Sequence, residues 1–239
     1  MKYGLIAIAF LALSGCTEQQ VLGTMEAMRT GGGAPLNNGE VVSGLKEALR
    51  VGTERSVLKG SAQDGFNGNA LIRIPFPPEA IKVKNTLLDL GLKKPVDDLE
   101  LTLNRAAESA AKEAVPIFVE AITSMTIADG FAILNGGEHA ATIYLKEKTT
   151  AALLQRFRPV VEQATQKVAL TSYWKPVADA YNTTTLFTGN KAIEPDLNAY
   201  VTNKAADGLF LLLADEEKRI RQDPLARTTA ILQRVFGVQ

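Results

Sequence analysis

With 26 basic and 26 acidic side chains in 239 residues, this chain carries no net charge and no basic patch that would suit nucleic acid or an anionic surface. Its single cysteine rules out an internal disulfide, and its single histidine rules out zinc sites built from several histidines. Hydrophobic residues make up 46% of the chain, enough for one substantial core.

Lys2 opens a short positive region, and Gly4 to Leu13 follow as an apolar run too short to span a bilayer. This pattern predicts that residues 1–15 are a signal peptide. Leu13-Ser14-Gly15-Cys16 then resembles the lipobox of bacterial lipoproteins: an aliphatic residue, two small ones and Cys. The resemblance implies cleavage before Cys16, diacylglycerol on its thiol and acylation (palmitate) of the new N-terminus. In that class Asp after the Cys favours inner-membrane retention; Thr17 therefore implies the periplasmic face of the outer membrane. Two or more acyl chains make such an anchor stable, where one alone is marginal.

Residues 16–39 read as the lipidated N-terminus and a tether. Val21, Leu22, Met25 and Met28 form a short amphipathic stretch that Gly31-Gly32-Gly33-Ala34-Pro35 ends in a flexible linker. Residues 40–239 form the domain. Asn37-Asn38-Gly39-Glu40 resembles a capping box and opens a helix with Val42, Leu45 and Leu49 on one side, ending near Lys59-Gly60.

A turn-rich loop from Asp64 to Asn69 leads into Leu71-Ile72-Arg73-Ile74-Pro75-Phe76-Pro77-Pro78. Three prolines in four positions deny this stretch a helix and remove backbone donors, so residues 71–78 are expected to lie as an extended strap. Ile72 and Ile74 should point inward. Arg73 should project outward or pair with a carboxylate such as Asp64 or Glu108. Pro78 suits the first turn of the next helix, which Gly91 terminates, and Asp97-x-x-Glu100 is expected to cap the one after.

The longest small and apolar run in the mature chain spans Asn104 to Tyr144. Ala106, Ala107, Ala110, Ala111 and Ala114 fall at helical spacing, a face that lets a second helix approach closely. Pro116 bends or restarts the helix, and Asn135-Gly136-Gly137 should close the following segment through a left-handed glycine. A helix from Glu138 through Leu154, interrupted at Thr149-Thr150, restarts at Pro159. Tyr173-Trp174-Lys175-Pro176 reads as a corner packed on the core, with the indole N–H partnered. Thr183 to Asn190 reads as a polar loop. Pro195 begins a long helix, and Asp223-Pro224 divides it from a last one bearing Leu225, Leu232 and Phe236. With no useful period-2 alternation, the fold class is all-α: one helical-bundle-like domain with a single proline-rich extended strap.

Two echoes suggest an internal repeat. Ala128-Asp129-Gly130-Phe131 recurs as Ala206-Asp207-Gly208-Leu209, and Thr149-Thr150-Ala151-Ala152-Leu153 as Thr228-Thr229-Ala230-Ile231-Leu232. A third, Asn104-Arg105-Ala106-Ala107-Glu108 against Asn203-Lys204-Ala205-Ala206-Asp207, has a different offset.

Gly44-Leu45-Lys46-Glu47-Ala48-Leu49, Ile72-Arg73-Ile74-Pro75 and Asn104-Arg105-Ala106-Ala107-Glu108, followed by Pro116-Ile117-Phe118, Ile133-Leu134-Asn135-Gly136-Gly137 and Asp207-Gly208-Leu209-Phe210, carry a resemblance to a bacterial family called domain of unknown function 4197. The resemblance covers roughly residues 40–237 and implies an exported, mostly helical protein, often a lipoprotein; it implies no activity.

For chemistry, the sequence lacks G-x-S-x-G, a P-loop and a dinucleotide fingerprint, so no catalytic residue, cofactor or metal is expected. His139 reads as a solvated first-turn residue. Asp64, Asp129 and Asp207 each precede Gly and an apolar residue; they read either as turn and helix-end supports or as a buried polar network. In the second reading Asp129 and Asp207 meet Arg73 or Arg105 between helices. Asp64, Arg73, Arg105, Asp129 and Asp207 are thus the candidate recognition or network residues, and Cys16 the lipidation site. The expected function is that of a non-enzymatic lipoprotein held by Cys16, binding an envelope protein or organising the envelope, with no nucleic acid partner. The alternative is a binder of an apolar ligand or lipid between helices, motivated by the small-residue face at Ala106 to Ala114.

Overall fold

The computed structural model describes residues 37–77, 81–166, 169–189, 191, 192, 194 and 196–222. The expected signal peptide, Cys16, Pro78 and the expected last helix lie outside the described residues. Among those described there are eight helices and no strand: α1 (Asn38–Ser61), α2 (Ile81–Asp89), α3 (Lys93–Ala111), α4 (Ala114–Thr123), α5 (Ile127–Leu134), α6 (Ala140–Thr165), α7 (Ala169–Thr188) and α8 (Leu197–Gln222). The protein is all-α.

The capping box at the start of α1 is complete. The Asn37 side chain accepts from the Glu40 amide at 2.9 Å, and the Glu40 carboxylate accepts from the Asn37 amide at 3.0 Å. α3 forms the centre, packed against α1, α6 and α8. The stripe Ala106, Ala107, Ala110, Ala111 and Ala114 is completely buried, because methyl-sized side chains let the neighbouring helices close onto it. α8 runs between α1 and α6, and α4 and α5 cover the open ends of α1 and α6. One contiguous core reaches from Leu45 to Ile220.

Several expected boundaries move. α3 begins at Lys93, ahead of Asp97; Asp97 and Asp98 pair instead with Lys93 and Lys94 one turn back. α6 runs unbroken through Thr149, whose hydroxyl donates to the Leu145 carbonyl, and through Pro159. Pro159 faces solvent while Leu153, Phe157 and Val161 are fully buried around it, so packing holds the helix across the missing amide. Likewise α7 passes through the expected corner at Pro176 and absorbs most of the expected loop after Thr183. α5 does end at Leu134, but neither Gly136 nor Gly137 is left-handed. Gly136 is needed for space, since a Cβ there would lie 2.5 Å from that of Ala140. Of the echoed pair, Asp129 stands in the first turn of the short α5 and Asp207 in the middle of α8, so the two are not structural equivalents.

Candidate functional site

The strap crosses α3. It starts from a tight turn after α1, in which Asp64 takes a left-handed φ of 61°. Gly65 follows because a Cβ there would sit 2.3 Å from the Lys59 carbonyl oxygen and 2.6 Å from that of Gly60. The turn aims Phe66 into the core, where the ring fills the space left by Gly208 of α8; a Cβ on Gly208 would meet it at 2.6 Å. Ile72, Ile74 and Phe76 are buried as well. Each of these four side chains contributes about 1.5–3 kcal/mol by leaving water. Arg73 points the other way and is half exposed. The edge of Trp174, on α7, closes the far end against Phe76 with ring centroids 5.5 Å apart, and its indole N–H donates to the Glu194 carbonyl at 3.0 Å.

An extended segment with no neighbouring strand must find other partners for its backbone. Here α3 supplies them from Glu100, Asn104 and Glu108, spaced one turn apart. The Asn104 side chain accepts from the Ile74 amide at 2.8 Å and returns a bond of 2.8 Å to the Ile74 carbonyl, as a paired strand would. Its amide nitrogen also donates to the Glu100 carbonyl within α3. Glu100 accepts from the Phe76 amide at 3.3 Å and from Lys84 of α2, and its second oxygen lies 3.5 Å from Arg73. Glu108 accepts from the amides of Phe66 and Asn67 at 3.2 Å each. Tyr200 of α8 donates to the Pro75 carbonyl at 3.2 Å. The strap is therefore clamped along its length, antiparallel to α3.

Of the residues singled out from the sequence, Asp64 and Arg105 belong to this arrangement. Arg105 bridges Glu108 at 2.7 Å and Asp64 at 2.9 Å, and Glu108 foremost holds its guanidinium pKa above the ordinary value. Arg73 is near as well, but its partner is Glu100, neither Asp64 nor Glu108, because Glu108 sits two turns further along α3 where the strap begins. Asp129 and Asp207 do not join. Asp129 closes the capping box of α5: it accepts from the Thr126 hydroxyl at 2.7 Å and amide at 2.9 Å, bonds that hold its carboxyl below the usual aspartate range. Asp207 is exposed and pairs with Lys146 at 3.3 Å. Asp129 fits the plainer reading of helix-end support; Asp207 fits neither reading, since it lies in the middle of α8 as one half of a surface ion pair. His139 is exposed at the N-cap of α6 and makes no side-chain capping bond.

Sequence reasoning missed the roles of Glu100 and Asn104, although polar residues at four-residue spacing beside the apolar stripe of Leu99, Leu103, Ala106 and Ala107 were a readable signal. It also missed Glu217. That buried α8 carboxylate accepts from the amides of Ala141 and Thr142 at 3.1 and 2.9 Å, capping α6 from across the core. Arg221 neutralises it at 3.0 Å and donates to the Ile133 carbonyl at 3.1 Å. Each of these carboxylates is engaged by amides and cations that fix structure. Among the described residues no three His, Cys, Asp or Glu side chains converge in a way that could hold a metal.

The fold and the site define a class: an all-helical domain whose central alanine-faced helix carries a polar ladder for a proline-stiffened strap. The chain belongs to the family described as protein of unknown function (DUF4197), whose model matches residues 35–237. No curated protein and no solved structure matches it.

Proposed function

We propose that this protein is a non-enzymatic lipoprotein, anchored by acylated Cys16 to the periplasmic face of the outer membrane, whose helical domain binds another envelope protein. The address rests on the leader and the Leu13-Ser14-Gly15-Cys16 box, followed by Thr17. The binding half rests on one observation: near the end of α7, Leu186 and Phe187 stand side by side, 81% and 88% exposed. α7 is held to the core through Trp174 and Ala178, so this pair extends from a fixed base. A neighbouring large aliphatic and aromatic residue left in water suit the buried centre of a protein contact.

The alternative of an apolar ligand between helices has less support, since the alanine stripe that suggested it is buried against neighbouring helices. A recess of about 30 Å³ between α1, α6 and α8, beside Leu45, Leu49 and Ile220, is the size of a water molecule or two. Two experiments test the proposal. Cys16→Ser should release the processed chain from the membrane fraction, and a variant that stays bound after leader removal would refute the anchor. A photo-reactive amino acid at position 187 should capture a discrete protein in intact cells, and the same probe at exposed Lys175 should not. Equal capture at both sites would refute α7 as the docking element.

A further inference from the structure

A second apolar surface lies at the other end of the molecule, on α4 and α5. From Ala114 to Leu134 the only charged residues are Glu120 and Asp129, and Asp129 is spent on the α5 cap. No single helix among the described residues is long and apolar enough to cross a membrane. α4 and α5 pass such a test only together, and they are bent 105° from one another. Their inner sides are committed to the core through Phe118, Ile122 and Ile133. Where a surface helix is ordinarily polar, the outer sides expose Pro116, Val119, Ile127, Ala128 and Ala132 among the polar Glu120, Thr123, Ser124 and Thr126. Ile127 in the first turn of α5 is 55% exposed, and Ile143 in the first turn of α6, which packs on α5, is 56% exposed.

Two further observations select the occupant. First, the described chain begins beside α5: α1 starts at Asn38, and Val42 in its second turn packs on the inner side of α5 so closely that a Cβ on Gly130 would lie 2.9 Å from it. Twenty residues separate Cys16 from Asn37, a reach of at most about 70 Å. An anchor at Cys16 thus pulls on the end of the domain that bears α5. Second, the rim has the chemistry of a lipid headgroup layer. Tyr144 is half buried beside α4, donating weakly to the Ala121 carbonyl at 3.5 Å. Lys148 lies 5.8 Å from the Tyr144 ring, and Lys46 reaches the end of α4 at the Thr123 carbonyl. Aromatic and lysine side chains around an apolar surface suit the boundary between acyl chains and phosphates.

We infer that the outer surface of α5, with Ile127 and Ile143, lies on the bilayer that holds the anchor, so that the domain rests on the membrane by a lipid-binding face instead of hanging free. The inference rests on the anchored reading, and its test is arranged to be independent of it. The chain from Cys16 onward is coupled through its only thiol to maleimide-bearing lipids in vesicles of phosphatidylethanolamine and phosphatidylglycerol with brominated acyl chains, which supplies the anchor whatever the cell does. Trp174 is buried on the strap side and serves as an unquenched reference. Ile127→Trp fluorescence should fall about twofold on brominated vesicles, while Leu186→Trp and the parent should not change. Ile127→Ser in place of Trp, combined with Ile143→Trp, should weaken the quenching at position 143.

Unquenched Ile127→Trp on coupled vesicles overturns the inference. So does concentration-dependent self-association of the uncoupled chain that Ile127→Glu abolishes, because a second copy would then cover the face. Far-UV circular dichroism shows that each variant is folded. Failure of the anchor itself is seen separately, as a Cys16 thiol that remains free to react with maleimide in the parent chain taken from cells.

Discussion

Asn104→Ala removes the one side chain that stands in for a neighbouring strand. The Ile74 amide and carbonyl each bond to it at 2.8 Å, and Ile74 is buried, so both groups would be left without a partner and without water. An orphaned buried polar group costs about 1–3 kcal/mol. Two of them cost about 3–4 kcal/mol if the strap shifts enough to recover part of the loss. The Glu100 carbonyl also loses a bond, but it retains the position of an ordinary helix acceptor, so it adds little. For a domain of this size the melting temperature should fall by about 6–15 °C. Ile74→Ala alone should cost about 2–4 kcal/mol through the cavity it leaves. Because both changes free the same segment, the double variant should lose less than the two together. Thermal and urea melts of the chain from residue 16 with Cys16→Ser, beside the two single variants and the double, decide the matter. An Asn104→Ala protein that melts within about 2 °C of its parent would show that the strap is not held by its backbone, and the ladder would have to be abandoned.

Gly208→Ala should destabilise by about 1–3 kcal/mol through overlap with Phe66, and Phe66→Leu in the same chain should restore part of the loss; equal melts of Gly208→Ala and parent would contradict the notch. Arg73→Ala should shift the melting temperature by less than about 2 °C, since its pair with Glu100 is long and half exposed, and a clear fall would show a stronger ion pair than the geometry describes. Asp129 is held below the ordinary aspartate pKa by Thr126, so its contribution is full above that ordinary value and is lost as pH falls through the lower folded one. Asp129→Ala should therefore melt below the parent at neutral pH and converge with it in strong acid; a difference that persists there would point to packing instead of charge. Glu217→Gln should loosen the start of α6, seen as faster amide exchange at Ala141 and Thr142 than in the parent, while exchange in the Ile74 strap stays unchanged.

The sequence carried the helical class and the strap because both are local signals. Alternation around Arg73 and the prolines beside it set which residues point inward without reference to the rest of the chain. The partner of Arg73 was not legible, because it depends on how the strap is aligned along α3, and that is set by Asn104 and by the turn at Gly65. Pro159 and Pro176 misled for a related reason. A proline breaks a helix when its neighbours are indifferent, but here buried residues on both sides keep the helix continuous and the missing bond faces water. Grouping Asp129 with Asp207 treated similar words as similar places; one begins a helix and the other lies on the flank of a long one. Glu217 gave no local sign, since the helix end it caps is distant in sequence and its own neighbours, Asp215 and Glu216, read as an ordinary charged run.

Phe66 has a consequence for the order in which the molecule can be built. The ring belongs to the turn directly after α1, but the notch that receives it is Gly208, near the other end of the fold. A chain emerging N-terminus first therefore exposes an aromatic residue and three apolar strap residues for as long as α8 is missing. During that interval α3 can already hold the strap's amides, but the Phe66 ring has no socket and its apolar surface is open to other chains. The glycine in α8 is thus a late-arriving latch, and a chain truncated before it should be the form most prone to aggregation and to cleavage near Asp64.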